Sequence, residues 1–249
     1  MSFVLVLWSV SFTWAASFDC AKAATPVEKL VCDSPELSQL DDDLGANYRG
    51  LLDATEKDER HPIRSQQKEW LRFRDARCLV PPNPQGEARE MSVECLAEQY
   101  RRGHWQLDSI HPCIDSGLTD VDPKEKWACP EGEVPLTKKV CEEAYTTLAM
   151  AFCTDLDAAR AHRKFVSAYI KVLDSAEKRV GENREVFEHY ALALKEEQDA
   201  WERLSKPTCE IEGLQFEGGT LQGLTIAGCS LDRIKKRTAQ LTPFAETDF

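Results

Sequence analysis

Positive charge is scarce in this chain. Its 249 residues hold 31 Lys and Arg against 43 Asp and Glu, a formal net charge of −12. A protein that acidic repels phosphate backbones, which sets nucleic acid aside as a ligand. Cys-x-x-Cys is absent, and no Cys/His set has zinc-finger spacing, so the cysteines do not read as a metal centre. There is no His-Glu-x-x-His and no Gly-x-Ser-x-Gly, which removes the signatures of zinc peptidases and serine hydrolases. The glycine cluster Glu217-Gly218-Gly219-Thr220 is not followed by Gly-Lys-Ser/Thr and reads as a tight turn rather than a phosphate cradle. His61, His104, His111, His162 and His189 make no metal-binding pair, and each reads as solvated or hydrogen-bonded. Carboxylates abound, but no two stand out as the acid/base pair of a glycosidase. The expectation is therefore no catalytic residue, no cofactor and no metal.

What is abundant is cysteine, with ten residues in a ladder that occurs twice. Cys20 and Cys32 stand at the same interval as Cys141 and Cys153. Cys32 precedes Tyr48 as Cys153 precedes Tyr169. Gln67-x-x-Trp70 leads to Cys78, and Gln198-x-x-Trp201 leads to Cys209 at the same distance. Cys95 and Cys229 each precede a Gln-Leu pair, Gln106-Leu107 and Gln240-Leu241, by the same step. Repeated spacing of this kind indicates an internal duplication. An even cysteine count in matched positions reads as disulfides formed in an oxidising compartment. Spacing alone leaves the connectivity open; the duplication favours Cys20–Cys32, Cys78–Cys95, Cys141–Cys153 and Cys209–Cys229, with Cys113 and Cys129 left to staple the connector. In each Gln-x-x-Trp…Cys segment the tryptophan is expected to be a buried plug beside the crosslink.

The apolar periodicity is helical. Thr25-Pro26-Val27-Glu28 is a capping box with proline at the first helical position, and Ser34-Pro35 opens a second helix along Leu37, Leu40, Leu44, Tyr48 and Leu51. A third follows His61-Pro62 with Ile63, Trp70 and Phe73 on one side, ended by Pro81, Pro82 and Pro84. A loop from Leu79 to Glu94 then reaches Cys95 and a last helix. The second half repeats the plan, with the clearest stripe at Phe187, Tyr190, Leu194, Trp201 and Leu204, and a turn near Gly181. Leu221 to Ile226 is the one strand-like run. Lys235-Lys236-Arg237 reads as a solvated helix surface. The predicted class is mainly α: two tandem disulfide-stapled helical repeats of three to four helices each. The predicted boundaries are 1–17, an uncharged apolar leader ending in small residues like a signal peptide; 18–111, the first repeat; 112–136, a Pro/Gly/Asp-rich linker with Cys113 and Cys129; and 137–249, a diverged second repeat. No segment after the leader is long and apolar enough to span a bilayer.

The first half carries a recognisable pattern: Phe18-Asp19-Cys20, Thr25-x-Val27-Glu28-x-x-Val31-Cys32, Ser34-Pro35-x-Leu37-x-x-Leu40-Asp41-x-x-Leu44-x-x-x-Tyr48 and Gln67-x-x-Trp70-Leu71-x-x-Arg74-Asp75-x-x-Cys78. It resembles the lysozyme inhibitor LprI-like N-terminal domain family over about residues 18–110, with a diverged second copy over about 137–245. The second copy keeps the cysteines, Gln198 and Trp201 but has Ser205 and Lys206 in place of Arg74 and Asp75. The resemblance implies a small helical protein, exported to the periplasm or secreted, that inhibits lysozyme by direct binding without being an enzyme. Its implied partner is a protein, a basic lysozyme, which suits an acidic chain. Arg74 and Asp75 are the candidate contact residues, and the disulfide-closed stretches Leu79–Glu94 and Glu210–Gly228 the candidate inserted elements. The alternatives are an immunity protein against another envelope-directed toxin, and an envelope hydrolase with a carboxylate site between the repeats.

Overall fold

The computed structural model describes residues 16–115, 129, 133–144 and 146–246. The leader lies outside the described residues except for its last two positions, and so does most of the linker. After a 3-10 turn at Cys20–Lys22, the first unit contains α1 (Pro26–Asp33), α2 (Pro35–Ala54), α3 (Arg60–Cys78) and α4 (Gly86–Asp108). Two short strands follow, β1 (Cys113–Asp115) and β2 (Glu133–Pro135), paired antiparallel with Cys113 opposite Pro135. The second unit contains α5 (Lys138–Glu142), α6 (Thr147–Val180), α7 (Arg184–Gly213) and α8 (Leu221–Glu246). The architecture is mainly α, with four helices in each copy, as the periodicity predicts.

Local chemistry sets the helix starts. Thr25 accepts from the Glu28 amide while the Glu28 carboxylate accepts from the Thr25 amide, so two otherwise unpaired donors are satisfied. Ser34 accepts from the Leu37 amide, with Pro35 at the first helical position. In the second half α6 has 34 residues where α2 has 20, because on the cysteine register it runs unbroken through the positions of α1, and α7 has 30 where α3 has 19.

Five disulfides join Cys20–Cys32, Cys78–Cys95, Cys113–Cys129, Cys141–Cys153 and Cys209–Cys229, and no cysteine is free. Two of them therefore close within each helical unit and one within the connector. Closing loops of this length contributes about 3 kcal/mol each in the chain-entropy model.

The two units interlock through α3. Trp70 packs into the first core with Leu37, Leu44, Leu96 and Tyr100. Phe73, one turn on, joins the second core instead, edge-on to Phe165 (5.6 Å) and Tyr169 (5.2 Å). One apolar stripe on α3 thus serves two cores, and through Phe73 it is buried against the middle of α6.

Two local expectations are corrected. Leu221–Ile226 is the first turn and a half of α8, not a strand. Short apolar runs do not distinguish helix from strand, and here the Cys209–Cys229 bond draws the segment against α7. The Leu79–Glu94 stretch is a loop only as far as Gln85, because α4 begins at Gly86. Both strands fall at the ends of the stretch read as a linker.

Candidate functional site

Three arrangements carry unusual chemistry: a buried polar triad in the first unit, a cleft at the matching place in the second, and an ionic cluster between the units.

In the first unit, Arg74 is 6% exposed. Its guanidinium lies 5.5 Å from the centroids of both the Trp70 and Tyr100 rings, so it is held between two aromatic faces. It donates to the Tyr100 hydroxyl at 2.9 Å, and that hydroxyl donates to Asp41 at 2.7 Å. Asp41 also accepts from the Ser17 amide (2.7 Å) and hydroxyl (2.6 Å). Burial pushes the Tyr100 phenol far above its ordinary range, with Asp41 adding to the effect against the opposing pull of Arg74. The phenol therefore stays neutral and relays hydrogen bonds. Asp75, paired with Arg74 at 2.7 Å, keeps a side chain 44% exposed. Of the two residues that the resemblance singled out, Arg74 is enclosed and Asp75 reaches solvent. Gln67 is half-buried on α3.

The duplication supplies a position-by-position register for the second unit. Asp41 corresponds to His162, Arg74 to Ser205, Tyr100 to Ile234 and Gly103 to Arg237. None of the triad's groups survives. Where Trp70 packs against Gly103, the equivalent space is filled by Arg237, which is 4% exposed and donates to Gln198 (2.8 Å) and Glu197 (2.9 Å). Trp201 is therefore only half-buried, with the guanidiniums of Arg233 and Arg237 each 5.9 Å from its ring centroid. The expected tryptophan plug holds for Trp70 and fails for Trp201, because Arg237 occupies the seat. Gln198, 1% exposed, is the polar centre of this wall and also donates to Glu202 at 3.0 Å. A cleft of about 970 Å³ opens here, lined by His162, Ser205 and Ile234 together with Trp105, Phe165 and Trp201.

Between the units, Arg77 of α3 is 5% exposed and reaches α7. It pairs with Asp199 (2.7 Å) and Glu202 (3.1 Å) and donates to the Lys195 carbonyl (3.2 Å). Arg102 of α4 bridges Glu98 (2.9 Å) and Glu202 (3.4 Å). Burial works to raise the Glu202 carboxyl, but Arg102 and Arg77 outweigh it and hold the group below its usual range. Asp199 is lowered in the same way, burial being overcome by Lys195 and Arg77.

At the far end of α7, past Cys209, the chain runs Glu210-Ile211-Glu212 into a 3-10 turn at Leu214–Phe216 and back into α8. Ile211 (67% exposed), Leu214 (54%), Phe216 (39%) and Leu221 (44%) project outward. Glu210, Glu212 and Glu217 are exposed among them, and no Lys or Arg occurs between Pro207 and Asp232. Gly213 allows a close approach of α7 to α8; a Cβ there would meet Ile226 at 2.6 Å. The tip is thus a tied hairpin of helix ends rather than a loose loop.

His162, Ile234, Arg233, Arg77 and Glu202 were not singled out from the sequence. Extending the cysteine register to the residues between would have paired Asp41 with His162 and exposed the loss of the triad. No pattern within a single stretch of sequence marks Arg77, whose partners are more than a hundred residues away. His162 departs from the expectation for a lone helical histidine: it is 5% exposed, sits edge-on to Phe73, Trp105 and Phe165, and its Nδ1 has no hydrogen-bond partner. Among the described residues no group of His, Cys, Asp and Glu could hold a metal ion, and no helix is long and apolar enough to cross a membrane.

A family model described as "Lysozyme inhibitor LprI" matches residues 20–107 and again residues 139–241. An uncharacterized protein of Rhizobium meliloti (strain 1021) is 26% identical over 110 residues, covering 43% of this chain and 79% of that protein. Lipoprotein LprI of Mycobacterium bovis is 30% identical over 129 residues, covering 52% of this chain and 57% of the lipoprotein. The protein of the same name from Mycobacterium tuberculosis (strain H37Rv) matches equally. No solved structure matches.

Proposed function

The chain belongs to the lysozyme inhibitor LprI family, and we propose that it is an exported, non-enzymatic module that binds and inhibits a basic muramidase of the lysozyme type. The observation that carries this reading is the α7–α8 tip. Four large apolar side chains and three carboxylates stand exposed there without a single cation. Exposed apolar residues rimmed by charge of one sign are the makings of an interaction surface. A protein whose net charge is −12 would be steered toward a positively charged partner. Because Cys209–Cys229 ties the tip at its base, little conformational entropy is lost when it docks. Asp75, exposed and fixed by Arg74, is a secondary contact on the first unit. Five disulfides suit the periplasm or the extracellular space.

A hydrolase with carboxylates between the repeats is disfavoured by charge. Glu202 and Asp199 are the carboxylates best placed for it, yet Arg102 and Arg77 hold the first, and Lys195 and Arg77 the second, lower than usual. A general acid requires the opposite shift.

The test mixes the purified protein with c-type, g-type and i-type lysozymes and follows cell-wall lysis. At least one should be inhibited. Ile211→Ser combined with Phe216→Ser, or Glu212→Lys combined with Glu217→Lys, should weaken inhibition at least tenfold while the circular dichroism spectrum is unchanged. Lysis of every type at its normal rate would remove the inhibitor reading. Full inhibition by both tip variants would move the contact surface elsewhere.

A further inference from the structure

The second unit retains the helices and crosslinks of the first but none of its buried triad, and although Arg237 takes the seat opposite the tryptophan, the room left by the triad remains open as a cleft. Ser205 and Ile234 are far smaller than the Arg74 and Tyr100 they correspond to. The resulting cleft, about 970 Å³, is in the size range of small-molecule sites. Its walls are largely apolar and aromatic, from Trp105, Phe165, Trp201 and Ile234. Two polar atoms on the lining are buried with no hydrogen-bond partner: Nδ1 of His162 and Nε of Arg233. Buried polar atoms without a partner are rare, because each carries the desolvation penalty of a lost hydrogen bond. The rim bears Arg203 and Lys206 on one side of the charge balance and Glu94 and Glu210 on the other, all exposed. The rim therefore comes close to cancelling, Arg102 and Glu202 on the lining pair with each other at 3.4 Å, and the group that sets the sign of a ligand is Arg233, whose charge cannot be shed.

We propose that this cleft is a binding site for a small amphipathic carboxylate, a molecule with an apolar chain or ring and one anionic oxygen group. The apolar part lies along Trp105, Phe165 and Trp201. The carboxylate accepts from Arg233, and the His162 ring, kept neutral by its apolar surroundings, offers a further N–H or lone pair. Burial pushes the His162 imidazole down to about 3, so it stays uncharged across the physiological range and the guanidinium alone selects for an anion. The site adjoins the Cys209–Cys229 bond through Cys209 and Ile226. It does not depend on the tip binding a lysozyme.

The experiment titrates the full chain, disulfides intact, with sodium decanoate, decanol and decyltrimethylammonium below their micelle-forming concentrations. Binding is followed by tryptophan fluorescence and by calorimetry, since Trp105 and Trp201 line the site. Decanoate should bind saturably, at least tenfold more tightly than the alcohol and more tightly still than the cation. Arg233→Gln should abolish that preference. Ser205→Arg with Ile234→Tyr restores the first copy's side chains and should remove binding of all three, with folding checked by circular dichroism. If that double variant fails to fold, Trp105→Leu serves instead and should weaken decanoate at least fivefold. Absence of saturable decanoate binding, equal binding of the cation, or an Arg233→Gln variant that keeps the preference would each overturn the proposal. Lysozyme inhibition is read separately and is unaffected by any of these outcomes.

Discussion

Gly103 gives the sharpest test of how the first unit is packed. It lies inside α4, where replacing glycine by alanine would ordinarily stabilise a helix by about 1 kcal/mol. A Cβ at this position, however, would stand 2.8 Å from Cζ2 and 2.9 Å from Cε2 of Trp70. The indole has no room to retreat. Arg74 lies 5.5 Å from its centroid and Tyr100 lies 5.7 Å away at a tilt of 60°. With two indole carbons inside 3.0 Å, overpacking here should cost about 2–3 kcal/mol, the upper part of the usual range, so the clash wins and Gly103→Ala should destabilise by roughly 1–2 kcal/mol net. For a chain of this size that is a fall in Tm of about 2–8 °C. Gly50, exposed in α2 with nothing within 4 Å of its notional Cβ, is the internal control. Gly50→Ala should stabilise by about 1 kcal/mol. Urea unfolding followed by circular dichroism under non-reducing conditions measures both. Trp70→Phe removes the part of the indole that would clash, so Gly103→Ala should become neutral or stabilising in that background. The double-mutant cycle would then return a coupling of at least about 1 kcal/mol. A Gly103→Ala protein as stable as the Gly50→Ala protein would refute the account of Trp70 as a fixed plug.

Arg77→Met should destabilise by about 3 kcal/mol, the low end for breaking a buried pair because Asp199 and Glu202 keep some solvent access; a broadened or biphasic urea transition would show the units parting, and a shift under 1 kcal/mol would count against the ionic cluster. Acid should weaken the fold in two windows. The folded His162 value, about 3, lies below the ordinary 6.5, so the stability from its neutral ring is fully present above pH 6.5 and drains away as pH falls toward 3. Glu202 and Asp199, also lowered, add stability above their unfolded values of 4.5 and 3.8 that is lost as pH falls through the lower folded ones. His162→Phe should flatten the upper limb of Tm against pH, and Glu202→Gln the lower; a profile unchanged by either would contradict the burial of these groups. Removing the Cys209–Cys229 bond by paired Ser substitution should cost about 3 kcal/mol and raise hydrogen exchange at the ends of α7 and α8, leaving α1–α4 protected.

The sequence made the scaffold legible because its determinants are local or repeated. The Thr25 and Ser34 caps and the stripes of α2 and α7 each fix an element within a few turns, and the duplicated cysteine spacing points to the pairings. What stayed hidden depends on contacts distant in the chain. Nothing near Leu221 says that a glycine-flanked apolar run will coil, since the decision rests with the Cys209 crosslink and the approach to Gly213. Nothing near Trp201 says that it will be displaced, since Arg237 arrives from the next helix. Phe73 reads as one more member of the Trp70 stripe, and only the placement of α6 sends it into the other core.

The divergence of the two copies is coordinated, and this bears on whether the cleft persists in solution. Loss of large side chains alone would invite collapse, because helices close over unfilled apolar space. Here the walls are held from outside. Arg237 is fixed to Gln198 and Glu197, and Gln198 in turn to Glu202, which Arg77 and Arg102 of the first unit grip from the opposite side. Closing the cleft by moving α7 toward α8 would shift Glu202 away from two buried or half-buried guanidiniums, a penalty of several kcal/mol where charges are left unpaired. The first unit needs no such brace, because Arg74 and Tyr100 fill its interior. The inter-unit cluster therefore has a role beyond joining the repeats: it lets the second copy keep a space that the first cannot have. On that argument, Arg77→Met should weaken decanoate binding as well as stability, although Arg77 does not line the cleft. Stability lost with affinity unchanged would show that the cleft stands without the brace.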